Sequence, residues 1–346
     1  MNNRILKLTE NLKPDAAYYI SDEKCVRYYS GFSGEGSLLV TAEKSVLFTD
    51  FRYTEAAERL DGIEVYDVAG GMEKGFPTFV KNVLLCESQI TLSLFKKLQA
   101  LLPEVEFISD DGAIANTRMV KDEEELNLIR RASDIAENAY EEMLNMVKVG
   151  VTEKQLAFEF EWLCRRAGAE AMSFDMVAAS GPNSSMPHAL VTDRALQSGD
   201  FITFDFGCVY NGYCSDMTRT VALGKCSDEQ REIYQIVLEA QMAGLAQVHA
   251  GVLCKDADAA ARNVIKKAGY GKCFGHSLGH GVGLKVHEAP NLSSKSELVL
   301  KENMVVTVEP GIYIPGKFGV RIEDLVVVGK QNCEILTKNC KDLLII

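Results

Sequence analysis

Two aspartates eleven residues apart, Asp205 and Asp216, frame the most informative stretch of the chain. It reads Phe201-Ile202-Thr203-Phe204-Asp205-Phe206-Gly207, then Cys208 to Tyr210, Asn211-Gly212 and Tyr213-Cys214-Ser215-Asp216. Asn-Gly is a two-residue hairpin signal, because both central residues of a type I′ turn need positive φ. Pairing outward from it sets Asp205 opposite Thr218 and makes Asp216 its diagonal neighbour on one sheet face. Diagonal positions lie about 7–8 Å apart at the backbone. Carboxylates reaching toward each other from there can share ions about 3.5–4 Å apart. Without a cation the arrangement is costly. Adjacent carboxylates among apolar strand residues repel until one protonates, and aspartate is a poor strand former. A single strand Asp is more often an edge or turn residue; a facing pair points toward a site.

Further donors lie downstream. Gly275-His276-Ser277-Leu278-Gly279-His280-Gly281-Val282-Gly283-Leu284-Lys285-Val286-His287-Glu288 holds three of the five histidines. Its glycines predict a loop whose backbone approaches something closely, and imidazole is both a metal ligand and a proton carrier near neutral pH. Val305 to Val308 reads as an apolar strand running into Glu309-Pro310-Gly311. Val320-Arg321-Ile322-Glu323-Asp324-Leu325-Val326 reads as one strand on which Arg321 and Glu323 share a face. The plain reading of that pair is a buried ion pair. Together, though, Asp205, Asp216, Glu309 and Glu323 carry four negative charges, which two divalent cations would balance. Four carboxylates and one imidazole, with no thiolate, suit manganese, or cobalt or zinc.

Elements must exist to bring these groups together. The chain has 346 residues, enough for two domains. A 47% apolar and 25% charged composition is that of a globular protein with a sizeable core. The net charge of −12 repels phosphate backbones and makes nucleic acid a poor partner. No apolar run is long enough to span a bilayer, and MNNRILKLTENLKPD has no apolar core of a signal peptide. The ten cysteines contain no CxxC pair and read as reduced, intracellular core fillers, so a cytoplasmic location is expected.

The first part of the chain has no histidine and reads as α/β. Strands are predicted over AAYYI, SLLVT (37–41), SVLFT (45–49) and ITLSL (90–94), with a short helix from Tyr53 to Leu60. The boundary falls near 115–122. Asp122 and Glu125 have capping-box spacing and open a helix closed by Lys148 and Gly150. Thr152 with Gln155 and Ser227 with Gln230 open two more, toward Gly168 and Gly251, and a shorter helix covers Ala257 to Ala268. With the β-patterned runs between them, the second part is α+β, hairpins packed on helices.

These residues resemble the Xaa-Pro branch of the pita-bread metallopeptidases, prolidase and aminopeptidase P. Asp205, Asp216, His280, Glu309 before Pro-Gly, and Glu323 after Arg321 are similar to that branch's metal ligands in order and spacing. Ser180-Gly181-Pro182-Asn183 with Pro187-His188 resembles the loop bearing its first catalytic histidine. YYSGFSG and LFTDFRYTEAAE, with Arg52-Tyr53, resemble the creatinase-type N-terminal domain. The resemblance covers nearly the whole chain. It implies an α+β protein: a small α/β creatinase-type domain over 1–118, then a pita-bread metallopeptidase domain over 119–346.

It also implies roles. Asp205 would hold one metal, Asp216 and Glu323 would bridge two, and His280 and Glu309 would complete the second site. A bridging water, acidified to hydroxide, would attack the bond preceding proline, with Glu309 shuttling the proton. His188 and His287 would position substrate and stabilise the oxyanion. Arg321 and His276 would orient ligands. Two divalent ions, foremost Mn2+, agree with the charge count and donor set; Xaa-Pro peptides as substrates and a homodimer follow from the resemblance alone. Dipeptidase and aminopeptidase P remain level. Methionine aminopeptidases share the ligands but lack such an N-terminal domain and, in general, the Arg two residues before the last ligand. Creatinase shares the fold without the metal set. A non-catalytic pita-bread binding scaffold is the competing class; such relatives usually lose ligands.

Overall fold

A computed structural model describes residues 3–346. The chain divides into two compact units, Met1–Arg118 and Met119–Ile346.

The first unit is built on six strands: β1 (Ala16–Ile20), β2 (Ser37–Val40), β3 (Ser45–Thr49), β4 (Glu64–Asp67), β5 (Asn82–Leu85) and β6 (Glu106–Ser109). They form one mixed sheet in the order β4-β3-β2-β1-β5-β6. β1, β2 and β3 are antiparallel, with β2 and β3 joined as a hairpin, and β4, β5 and β6 join parallel. β1, β2 and β3 are buried throughout, as their unbroken apolar runs require. Helices α1 (Asn3–Thr9), α2 (Glu23–Ser30), α3 (Thr54–Ala57), α4 (Leu92–Leu101) and α5 (Gly112–Met119) complete the set. α3 is shorter than the helix expected from Tyr53 to Leu60. The strand expected over 90–94 is instead a helix start: the Thr91 hydroxyl accepts from the Leu94 N–H and opens α4. A five-residue apolar window does not separate the two periodicities, and the cap decides for helix.

In the second unit the three expected capping boxes are all formed, at the starts of α6 (Glu123–Leu144), α7 (Glu153–Arg166) and α8 (Asp228–Gln247). α9 (Cys254–Lys267) follows. α6 stops at Leu144 rather than near Gly150, which lies beyond it with φ +93°. β7 (Ala171–Met172), β8 (Val177–Ser180), β9 (Phe201–Phe206), β10 (Cys208–Tyr210), β11 (Tyr213–Cys214) and β12 (Met217–Ala222) come next. β9 lies between β8 and β12, while β10 lies between β7 and β11. Asn211 and Gly212 have φ +46° and +86°, and the ladder runs from Tyr210↔Tyr213 outward to Asp205↔Thr218 as expected. The remaining strands are β13 (Gly279–Gly281), β14 (Glu288–Leu292), β15 (Val305–Val308), β16 (Gly311–Ile314), β17 (Phe318–Arg321), β18 (Asp324–Val328) and β19 (Cys333–Ile335). Five of them form the sheet β14-β13-β15-β18-β19, and β16 pairs with β17.

Two expectations change here. The run Val320 to Val326 is not one strand. β17 ends at Arg321, β18 starts at Asp324, and the two pair with different partners. The Glu323 N–H donates to Thr218 O at 3.1 Å, across to β12, so face alternation does not relate Arg321 to Glu323. The histidine-rich segment is not wholly a loop, since Gly279–Gly281 is strand β13 with a register shift after His280. Its glycines do mark close approach, but to neighbouring strands: a Cβ on Gly279 would collide with the Thr307 carbonyl, and one on Gly281 with that of Ala289.

Two apolar cores hold this unit. α6 and α7 pack Ile135, Tyr140, Met143, Leu156 and Phe160 against Phe204 and Phe206 of β9. α8 and α9 pack Ile233, Val237, Ala261 and Ile265 against Val306, Val308 and Val326 of the five-stranded sheet. The ten cysteines are free thiols, and Cys208 and Cys214 are buried, as core fillers would be.

Candidate metal centre

The ligand candidates come from five places in the second unit. Asp205 is on β9 and Asp216 immediately precedes β12. His280 is on β13, Glu309 follows β15, and Glu323 sits in the break between β17 and β18. All five line one cavity of about 720 Å³. Asp216, His280 and Glu323 each offer a ligand atom, and these atoms lie within 4.8 Å of one another. Glu309 and Asp205 flank that triple. His280 Nε2 is 3.3 Å from Glu309 Oε1 and 3.5 Å from Asp216 Oδ2. Asp205 Oδ2 accepts from Arg321 Nη2 at 2.6 Å, while its Oδ1 is buried without a hydrogen-bond partner among the described residues. An orphaned carboxylate oxygen is costly in a protein interior, and a cation is the partner that removes the cost.

Three of the four carboxylates, Asp205, Glu309 and Glu323, have a protein group holding their other side. The Thr218 hydroxyl, opposite Asp205 on the ladder, donates to Glu323 Oε2 at 2.6 Å and accepts from Arg321 Nε at 3.0 Å. The Thr307 hydroxyl donates to Glu309 Oε1 and accepts from the His280 N–H, both at 3.1 Å. Arg321 Nη1 donates to the Tyr313 hydroxyl at 2.8 Å, and that hydroxyl is 3.0 Å from His276 Nε2. Arg321 therefore reaches Asp205 from behind, and His276 acts on it only through Tyr313. His188 and His287 line the cavity but are solvent-exposed, and the His287 ring lies 4.4 Å from that of His280.

Sequence reasoning missed three of these groups. Thr307 was within reach, lying two residues before Glu309 on a strand. Thr218 was visible only as the residue facing Asp205. Tyr313 carries no signal, because its role depends on β16 folding back beside Arg321. Also unforeseen is the buried pair of Lys121 Nζ and Glu288 Oε1, 2.9 Å apart at the cavity edge.

The electrostatics are those of crowded negative charge. Burial, then the neighbouring charge of Glu323 and Asp205, pushes Asp216 well above the usual carboxylate range. Burial, then Glu309 and Asp205, does the same to Glu323. Burial also raises Asp205, although Arg321 opposes it. Glu309 goes the other way: burial would raise it, but hydrogen bonding to and the charge of His280, with His276 and Arg321, hold it at about 2. His280 is raised despite its burial, because Glu309 favours the imidazolium. Four carboxylates against one arginine leave a deficit of positive charge. Oxygen-rich donors with one imidazole and no thiolate fit divalent cations of the manganese, cobalt or zinc kind.

Four carboxylates and one imidazole lining one cavity of an α+β unit make up the donor set of a divalent-cation site. Residues 127–330 match the model of metallopeptidase family M24, and residues 3–120 match that of the creatinase/prolidase N-terminal domain. The chain belongs to the M24 metallopeptidases: a creatinase-type domain followed by a pita-bread catalytic domain. It is 40% identical to an uncharacterized peptidase of Bacillus subtilis, over 94% of this chain and 95% of that one. The crystal structure of an X-Pro aminopeptidase from Thermotoga maritima has a TM-score of 0.91 at 41% identity, covering 97% and 99% of the two chains. That of the prolidase from Pyrococcus horikoshii has a TM-score of 0.94 at 36% identity, covering 99% and 100%. Divalent metal ions go with this family's chemistry. Among the described residues no helix is long and apolar enough to cross a membrane.

Proposed function

We propose that this protein is an Xaa-Pro exopeptidase of prolidase or aminopeptidase P type, working with two divalent metal ions, foremost Mn2+. The observation that carries the reading is the meeting of Asp216, His280 and Glu323 within 4.8 Å beside the unpartnered Asp205 Oδ1. Asp205, Asp216, His280, Glu309 and Glu323 would hold the ions. When bound, such ions supply an acidified water and polarise the scissile carbonyl. Glu309, kept ionised by His280, His276 and Arg321, would take the proton and deliver it to the proline nitrogen as the bond breaks. His188 and His287 stand at the exposed side of the cavity, where they can orient the substrate and donate to the oxyanion. Arg321 fixes Asp205, and His276 fixes Tyr313 against Arg321.

Specificity for the bond before proline rests on the relatives whose printed names carry it. Its physical logic is that an imide lacks the N–H that general peptidases grip and has a fixed φ. The dipeptidase and aminopeptidase P forms stay level. A cytoplasmic location and a homodimer complete the proposal.

The test is metal analysis coupled to a substrate length series. Chelated protein should lose activity, and manganese should restore it with two ions per chain. Xaa-Pro, Xaa-Pro-Xaa and longer peptides then separate the two forms, since a strict dipeptidase cuts only the first. Protein that takes up no divalent ion and cleaves no Xaa-Pro peptide would instead be a binding scaffold.

A further inference from the structure

Glu153, the first residue of α7, is completely buried, yet the metal centre makes no use of it. Its two oxygens hold the two ends of one loop, with the Asn183 side-chain amide reaching both of them, Oε2 at 3.3 Å. Oε1 accepts from the Ser180 N–H at 2.8 Å, the Ser180 hydroxyl at 2.6 Å and the Asn183 side-chain amide at 3.1 Å. Oε2 accepts from the Thr192 N–H at 2.9 Å and the Thr192 hydroxyl at 2.6 Å. The first two backbone N–H groups of α7, on Glu153 and Lys154, donate to Arg194 O and Thr192 O, so the returning strand of the loop also caps the helix.

The segment between those ends carries the exposed His188, with Met186 50% and Leu190 80% exposed, while Ser184 and Ala189 are buried and pin it to the body. Two further ties steer it. The Gly319 N–H donates to the Ser184 hydroxyl at 2.9 Å, and Arg321 Nη1 donates to Pro187 O at 3.2 Å, one residue before His188. The loop base leaves no spare room: Arg194 bridges the Ser180 hydroxyl to Asp200, and a Cβ on Gly181 (φ +51°) would lie 2.5 Å from Asp200 Oδ1. Five donors converging on one buried carboxylate make a strong, geometrically fixed anchor. A helix terminus or a turn alone would need no such charge.

We infer that Glu153 is a positioning residue for catalysis, a clamp that closes both ends of the 181–191 loop and thereby sets where His188 meets the substrate. The inference rests on the proposed peptidase reading of the cavity. Glu153→Gln keeps the volume but turns one acceptor oxygen into an N–H donor facing N–H groups, so one end of the loop must release. A catalytic group displaced by about 1 Å can cost on the order of 10²-fold in rate.

The experiment uses full-length protein reconstituted with manganese. Glu153→Gln should keep its manganese content and lose on the order of 10²-fold in kcat on an Xaa-Pro peptide. Combined with His188→Ala it should lose no more than His188→Ala alone, within about twofold, because both changes remove one contribution. If the two losses multiply, or if Glu153→Gln sheds metal in step with activity, the clamp assignment is wrong. A readout free of turnover separates the two proposals. Amide hydrogen exchange over 181–191 should quicken in Glu153→Gln while α6 and α8 keep their protection. Unchanged exchange overturns the clamp. Wild-type protein that cleaves no Xaa-Pro peptide overturns the peptidase reading and leaves the exchange result to judge the clamp. Should Glu153→Gln fail to fold, Thr192→Val, which removes one donor at constant shape, takes its place with the same expectations at smaller size.

Discussion

The catalytic unit presents its carboxylates in two different ways. Asp205 and Asp216 come from one antiparallel ladder whose register is set by the Asn211-Gly212 turn. Glu309 and Glu323 come from places where ladders stop, just past β15 and between β17 and β18. A regular ladder aims alternate positions at one face, and the position there beside the two aspartates is Thr218, which supports ligands rather than being one. The other two ligands lie off their strands. Each is then held by its own backbone across to another element: the Glu309 N–H to Leu278 O at 2.8 Å, and the Glu323 N–H to Thr218 O at 3.1 Å. The hairpin is a local device. The second pair is a tertiary one, and it ties the β13 and β12 segments into the site.

That contrast can be broken by experiment. The largest effect should come from the carboxylates themselves. Asp216→Asn and Glu323→Gln should each lose metal and activity together, by at least about 10³-fold, because several kcal/mol of charge stabilisation go with the ions. Metal content measured beside kcat/KM checks it; a variant that stays metal-replete and active would remove that residue from the ligand set. His188→Ala should keep the metal and lose about 10²–10³-fold in kcat, as loss of an oxyanion donor does. An emptied site in that variant would put His188 among the ligands.

A smaller effect probes the supports. Tyr313→Phe removes the hydroxyl shared by Arg321 and His276, and should cost about 10–100-fold in activity or metal affinity, as loss of an outer partner of a ligand typically does. Thr218→Val should do the same at the junction of the two pairs, since its hydroxyl serves Glu323 and Arg321 at once. If Thr218→Val proves neutral while Tyr313→Phe does not, the hairpin and the second pair are less coupled than their hydrogen bonds imply. The smallest effect should lie far from the site: Ser227→Ala removes the side-chain cap of α8 and should lower stability by about 1 kcal/mol in urea unfolding, with turnover unchanged.

Much of this was legible in the chain because its signals were local. The three capping boxes, the Asn-Gly turn and the pairing of Asp205 with Thr218 each depend on a few neighbouring residues. Where a local window was ambiguous the reading failed. The 90–94 segment has an apolar pattern compatible with either period, and only the Thr91 cap decides it. The 320–326 run looks like a continuous strand, but its two halves join different ladders. The centre of this failure is also the functional point, since the break is what turns Glu323 into the cavity.

The sequence by itself determined which residues could serve as ligands, the register of the first pair, and the starts of the long helices. All of these follow from side-chain chemistry and from hydrogen bonds spanning a few residues. Only the tertiary structure decided that Glu323 leaves its strand, that Thr307 and Tyr313 stand behind the ligands, and that Glu153 grips both ends of the His188 loop. Those outcomes depend on groups from separate elements, as distant in the chain as Thr218 and Glu323, finding each other in a dry interior, where an unsatisfied donor or carboxylate is too costly to persist.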